Sequence, residues 1–184
     1  MTAFGENFVC YKPPLAKKEI NNLKERMHIT DKTLALNLLT PHNKWTIHSS
    51  WNDNLLMLTL FRGGPVIWMS ERDAAKLGIN DNDWVEVLND NGSAMARACI
   101  SQRIPEGALY MFHNQGRTVN VPRSPLTHNR GGIHNSISRL CPKPTHMIGG
   151  YAQLSFGLNY YGTIGANRDE FVLLRKVADQ NITW

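Results

Sequence analysis

Hydrophobic positions fall into short blocks separated by turn residues. The run Leu34-Ala-Leu-Asn-Leu-Leu-Thr40 has strand length and stops at Pro41, whose ring removes a backbone donor and disfavours helix in the residue before it. Val66-Ile-Trp-Met69, introduced by Gly63-Gly-Pro65, predicts a second, buried strand. Ser70 followed by Asp73 has capping-box spacing, with Asp where Glu or Gln is usual, and opens a short helix that Gly78 closes after Leu77. Asn80 to Asp83 then turn the chain into Trp84-Val-Glu-Val-Leu88, and Asn89-Asp-Asn-Gly92 is a hairpin signal. In the strand that follows, Ala94, Ala96, Ala98 and Ile100 share one face and Met95, Arg97, Cys99 and Ser101 the other; small alanines suit a crowded interior. Pro105-Glu-Gly107 predicts another turn, with strands at Ala108 to His113 and from Phe171 to Val177.

These elements describe a mainly β domain with one or two short helices. Several non-local strands imply a closed barrel, because closure removes sheet edges. The predicted organisation is an arm over residues 1–33, the barrel domain over 34–178 and a tail over 179–184. Pro13-Pro14 blocks helix in the arm, and Lys17 to Met27 carries helix formers with a thin apolar face that must pack on something else. From Asn114 to about Gly150 periodicity is lost in favour of Gly, Asn, Pro and His. A loop of that length in a compact domain is usually functional or disordered, and its Arg, His and aromatic content favours function.

Composition changes this picture little. The 184 residues are 42% hydrophobic and 19% charged, and no apolar run approaches the roughly 20 residues of a spanning helix. A formal net charge of +5 favours anionic partners. Yet the densest basic stretch, Lys17, Lys18, Lys24 and Arg26, is broken by Glu19 and Glu25, which argues against a nucleic-acid arm. Cys10, Cys99 and Cys141 have no Cys-x-x-Cys spacing, so neither a disulfide scaffold nor a cysteine-held metal is expected, and a reducing compartment is. The histidines lack zinc spacing, no Gly-x-Ser-x-Gly elbow is present, and Gly63-Gly64 lacks the Gly-Lys-Ser/Thr ending of a phosphate loop. No metal ligand and no catalytic residue is therefore assigned.

The stretch Met69 to Gly92, with Arg103-Ile-Pro-Glu-Gly107, resembles the molybdopterin-dinucleotide-binding domain of the dimethyl-sulfoxide-reductase superfamily. That resemblance implies a double-psi β-barrel. Flanking strings are similar to respiratory nitrate reductase alpha subunits and their nitrite-oxidoreductase relatives. They are Leu39-Thr-Pro-His-Asn-Lys-Trp-Thr-Ile-His-Ser49, Asp53-Asn-Leu-Leu-Met-Leu-Thr-Leu-Phe-Arg-Gly-Gly-Pro65, Arg130-Gly-Gly-Ile-His-Asn-Ser136, Lys143-Pro-Thr-His-Met-Ile-Gly-Gly-Tyr151, Asn159-Tyr-Tyr-Gly162 and Asn167-Arg-Asp-Glu-Phe171. Family catalytic subunits are far longer and carry upstream an iron–sulfur cluster and a molybdenum-ligating aspartate. Neither has a counterpart here, so the expectation is a carboxy-terminal cofactor-clasping portion, inactive by itself.

The implied cofactor is a bis(molybdopterin guanine dinucleotide) molybdenum complex. Holding it takes cations and amides for pyrophosphate, polar edges for guanine and hydrogen-bonding rings near the pterins. By resemblance, the segment containing Thr40, His42, Lys44, Trp45, His48 and Ser49 lies along a pterin and pyrophosphate. His113 and His134 correspond to further pterin-side histidines, Asn135 and Ser136 to neighbouring donors, and Asn167 and Arg168 to a pair beside phosphate or pterin. Histidine suits such a site because its ring donates or accepts and adjusts its charge. Implied partners are the rest of the alpha subunit, an iron–sulfur beta subunit and a haem-bearing membrane gamma subunit, with the complex at the cytoplasmic face of the cell membrane. Two other readings stay open: a stand-alone pterin-dinucleotide-binding module or a subunit of a related molybdenum oxidoreductase, and a basic RNA-binding barrel using Trp45, Trp51, Tyr160 and Tyr161.

Overall fold

A computed structural model describes residues 20–47, 50–51, 54–60, 65–112, 134–137, 140–148, 151–158 and 169–180. Six strands close into a barrel: β1 (Leu34–Leu39), β2 (Val66–Met69), β3 (Trp84–Asn89), β4 (Gly92–Ile100), β5 (Ala108–Met111) and β8 (Asp169–Lys176), in the order β1-β5-β2-β4-β3-β8. The pairs β1/β5 and β2/β4 are parallel and the others antiparallel. This mixed closed barrel with crossover connections is the expected double-psi class. Strands β6 (Leu140–Ile148) and β7 (Tyr151–Leu158) form a separate antiparallel ribbon with an irregularity between Pro144 and His146.

The local grammar around the short helix is realised in detail. Helix α3 (Glu71–Leu77) begins at Ser70, whose hydroxyl accepts from the Asp73 amide at 3.1 Å, and ends at Gly78 in the left-handed region at φ +66°. Glycine bears that conformation because it has no Cβ to clash. Asp73 is buried and accepts from the Ser70 hydroxyl and the Gly107 amide, both at 2.8 Å. It thereby ties the helix start to the turn before β5. Burial pushes its carboxyl up, but the Gly107 amide, the Ser70 hydroxyl and the Lys76 ammonium outweigh that cost, leaving it below the ordinary carboxylate value.

Ala94, Ala96 and Ala98 are fully buried in the main core beside Leu36, Leu38, Ile67, Met69, Val85, Val87, Leu109, Met111, Val172 and Leu174. The opposite face of β4 departs from the alternation pattern, because Met95 and Cys99 are buried as well; covering by neighbouring elements hides both faces. A smaller outer cluster lies over β3 and β8. Helix α1 (Ile20–Arg26) packs Ile20 and Leu23 against Leu88 and Leu173, with Met27, Ile29 and Phe171 alongside.

Two strands and one helix, β6, β7 and α2 (Leu55–Leu60), were not predicted. Residues 140–148, within the stretch expected to be loop, form β6; the prolines at 142 and 144 obscure it, and a strand with one partner tolerates them. Helix α2 is apolar at every position except Thr59, so it shows no helical stripe. Asn54 caps it, its Oδ1 accepting from the Leu56 and Met57 amides at 3.0 and 3.3 Å.

Candidate functional site

Strand register divides the barrel into two unlike ends. At one, β2 ends, β5 starts, and the joins are short: α3, the turn at residues 78–83 and the turn at 101–107. At the other, β1 stops at Leu39 opposite Asp169 of β8, β5 stops at Met111 opposite Ile67 near the start of β2, and β3 turns into β4. Every long excursion of the chain between barrel strands leaves and returns at this second end. It is also where the predicted segments attach: residues 40–49 follow β1, His113 follows β5, and Asn167 and Arg168 precede β8.

The described predicted residues are distributed as follows. Thr40 is buried, His42, Lys44 and Asn135 are exposed, and Trp45 and Ser136 are half-buried. His134 is 3% exposed and begins a single 3-10 turn, His134–Ser136. His48, Ser49, His113, Asn167 and Arg168 lie outside the described residues. The predicted residues that are described thus fall in the segment after β1 and in the His134 turn.

After β1 the chain builds an open groove of about 430 Å3, lined by Lys44, Trp45, Thr46, Ile47, Trp51, Asn54 and Met57. The Lys44 ammonium sits 4.6 Å from the Trp45 ring centroid, a cation over an aromatic face. Asn43 turns the segment by accepting from the Trp45 amide at 2.9 Å. Its Nδ2 and the Thr46 hydroxyl are buried with no hydrogen-bond partner among the described residues. Buried donors left unpaired are costly, so such atoms point to a ligand or water that completes them. Trp51 holds φ at +73°, an unusual value for an aromatic residue and the kind of strain found at binding sites.

Thr46, Ile47, Trp51, Asn54 and Met57 were not among the predicted cofactor-binding residues. The clue was the capping Asn54 immediately before the apolar run Leu55 to Leu60, which places a helix start beside the groove. Among the described residues no group of three or more His, Cys, Asp or Glu side chains could hold a metal ion, and no helix is long and apolar enough to cross a membrane.

Comparison with known proteins identifies the domain. Residues 36–153 match the family described as the Molydopterin dinucleotide binding domain. Over 184 residues the chain is 56% identical to the respiratory nitrate reductase 2 alpha chain of Escherichia coli (strain K12) and 52% identical to the nitrate reductase alpha chain of Bacillus subtilis (strain 168). It covers 15% of the length of each. Perchlorate reductase subunit alpha of Dechloromonas aromatica (strain RCB) is 40% identical over 140 residues, 74% of this chain and 14% of that one. Since the match runs from β1 through the capped helix and the hairpin into β7, the chain belongs to the molydopterin dinucleotide binding domain family.

Proposed function

We propose that this chain clasps the bis(molybdopterin guanine dinucleotide) molybdenum cofactor of a nitrate reductase alpha subunit for the reduction of nitrate to nitrite. The observation that carries the proposal is the groove after β1, where Lys44 lies over Trp45 and the Thr46 hydroxyl is buried and unpaired among the described residues; the Asn43 side-chain amide, in the same segment but not in the lining, is likewise buried and unpaired. The donor set fits the group. Lys44 supplies a cation for pyrophosphate, Trp45 an aromatic face for a flat ring system, and Thr46 a hydroxyl for a ligand edge. When bound, the cofactor supplies the redox-active metal and its dithiolene ligands. The chain's share is to orient the dinucleotide, exclude water beside β1 and offer imidazoles at His42, His48, His113 and His134 to the pterins. Thr40, Ser49, Asn135, Ser136, Asn167 and Arg168 complete the proposed set of contacts.

None of these residues is given a catalytic role. The reading places the chain within a longer alpha subunit, partnered by an iron–sulfur beta subunit and a haem-bearing gamma subunit at the cytoplasmic face of the cell membrane. The 56% identity to an alpha chain supports this.

The test replaces the matching segment of the Escherichia coli alpha chain with this sequence and measures molybdenum and acid-released guanine nucleotide together with nitrate turnover by reduced viologen. The parent hybrid should retain all three, Lys44→Ala with Trp45→Ala should lose guanine nucleotide, and the 184-residue chain alone should show no turnover. A hybrid that assembles yet contains no guanine nucleotide would refute the proposal. Tight binding of the isolated chain to single-stranded RNA, with none to GDP, would favour the RNA-binding reading instead.

A further inference from the structure

The turn between β3 and β4 is the one short barrel connection at the end where the long segments leave and return. A two-residue hairpin loop needs little beyond residues that accept its backbone angles. This one does more. The Asn89 side-chain amide donates to the Ile137 carbonyl at 2.7 Å, and the Asn91 side-chain amide donates to the same carbonyl at 3.1 Å. Asn89 Nδ2 also lies 3.4 Å from the Phe171 carbonyl, and Asn89 Oδ1 accepts from the Asn91 backbone N–H at 2.9 Å, which fixes the Asn89 side chain relative to the turn.

Gly92 adds a third, steric feature. A Cβ at that position would stand 2.3 Å from the Ser136 carbonyl oxygen. That atom belongs to backbone, so accommodation would require the turn or the hairpin to move. Ile137 is meanwhile fully buried in the main core, and the Ile137 amide donates to the His134 carbonyl at 3.4 Å. Two donors on one carbonyl, a missing Cβ and a buried apolar anchor all converge on the segment from His134 to Ile137.

We infer that Asn89, Asn91 and Gly92 form a seat that positions the His134–Ser136 turn, and with it the His134 imidazole, at the ligand-bearing end of the barrel. Only the identity of the ligand rests on the proposed function; the seat itself rests on the contacts above. Such a device is useful because an imidazole set against a ligand ring must be held to a fraction of an ångström, and support from residues that never touch the ligand is how that is achieved. These are positioning residues, since their contacts are to backbone and not to a ligand.

The test uses the 184-residue chain and variants Gly92→Ala, Asn89→Asp and Asn89→Ala/Asn91→Ala, each with two readouts. Asn89→Asp keeps the acceptor for the Asn91 amide and removes the donor to Ile137. Leu77→Ala serves as control, because Leu77 packs in the core from the opposite end of the barrel. The first readout is diethyl pyrocarbonate modification of His134, followed by peptide mass spectrometry with the exposed His28 and His42 as internal references. The seat variants should raise the relative rate at His134 by about tenfold or more through local opening, and the control should not. The second is the pterin content of the hybrid alpha chain carrying the same substitutions, read as released fluorescent pterin and expected to fall about tenfold in the seat variants and to stay unchanged in the control.

His134 protection equal to that of the parent chain in all three variants would overturn the seat. An exposed His134 with unchanged pterin content would overturn its positioning role. If the parent hybrid holds no pterin, the proposed ligand fails, while the modification readout still decides whether the seat exists.

Discussion

Arg175 on β8 stands directly opposite Glu86 on β3, and both its Nε and Nη2 lie 2.7 Å from Glu86 Oε2. Its Nη1 reaches Asp31 at 2.7 Å, so one guanidinium ties the segment before β1 to two adjacent barrel strands. Glu86 is buried, whereas Arg175 and Asp31 are more open to solvent. The pair's importance lies in the penalty for breaking it, since a buried carboxylate without its cation keeps its desolvation cost. Arg175→Met should destabilise the chain by about 2–4 kcal/mol, and Arg175→Met with Glu86→Gln by markedly less. Urea midpoints of the two variants check this; equal losses would show that the charge itself is immaterial.

Acid should act through Asp73 and Asp83. Burial raises both carboxyls, but hydrogen bonds and neighbouring lysines win: the Gly107 amide, Ser70 and Lys76 for Asp73, and Lys176 and the Asn80 amide for Asp83. Both groups therefore titrate below the ordinary 3.8 in the folded chain. Their stabilisation is complete above that value and is lost as pH falls through the lower folded values. Between about pH 6 and about pH 2 the parent chain should lose stability more steeply than Asp73→Asn/Asp83→Asn. Parallel slopes in chemical denaturation would contradict this.

The two ends of α3 offer a contrast in mechanism. No atom lies within 4 Å of a Cβ placed on Gly78, so Gly78→Ala meets only the strain of its φ of +66°. A cost of about 1–2 kcal/mol follows from an L-residue in that region. Ser70→Ala removes the cap on the Asp73 amide and one partner of a buried carboxylate, and should cost a similar or slightly larger amount, about 1–2 kcal/mol. Asn at position 78, which tolerates left-handed geometry, should recover part of the Gly78→Ala loss in thermal melts.

Those same features show what was legible before any coordinates. Ser70, Asp73 and Gly78 act within a few residues of one another, so spacing alone specified α3, and alternation specified β4. Barrel closure was inferable because strands without sequence neighbours must find partners. The contacts that shape the candidate site are of another kind. Asn89 and Ile137 are 48 positions apart, and no periodicity marks a side chain that will reach so distant a carbonyl. The groove was half visible: resemblance brought in Lys44 and Trp45, but Trp51 and Met57 join them only through the turn and capped helix that follow. Resemblance, not pattern, singled out His134, whose burial no sequence rule announces.

Helix α2 supplies the last prediction. Leu55 and Leu56 are each 78% exposed, with Leu60, Ile47 and Trp51 also open to solvent. In most helices apolar residues of this size face a core, and their removal costs several kcal/mol; here no such burial exists to be lost. Replacing both with lysine should therefore change stability by no more than about 0.5 kcal/mol. It should also lower the fluorescence of an apolar-surface dye bound to the native chain, because the contiguous apolar face beside the groove is interrupted. Leu38→Ala, at a fully buried position in the same part of the chain, should do the opposite, with a loss of about 2–5 kcal/mol and no reduction in dye binding. A large stability loss in the double lysine variant would mean that these leucines pack against the folded chain in solution.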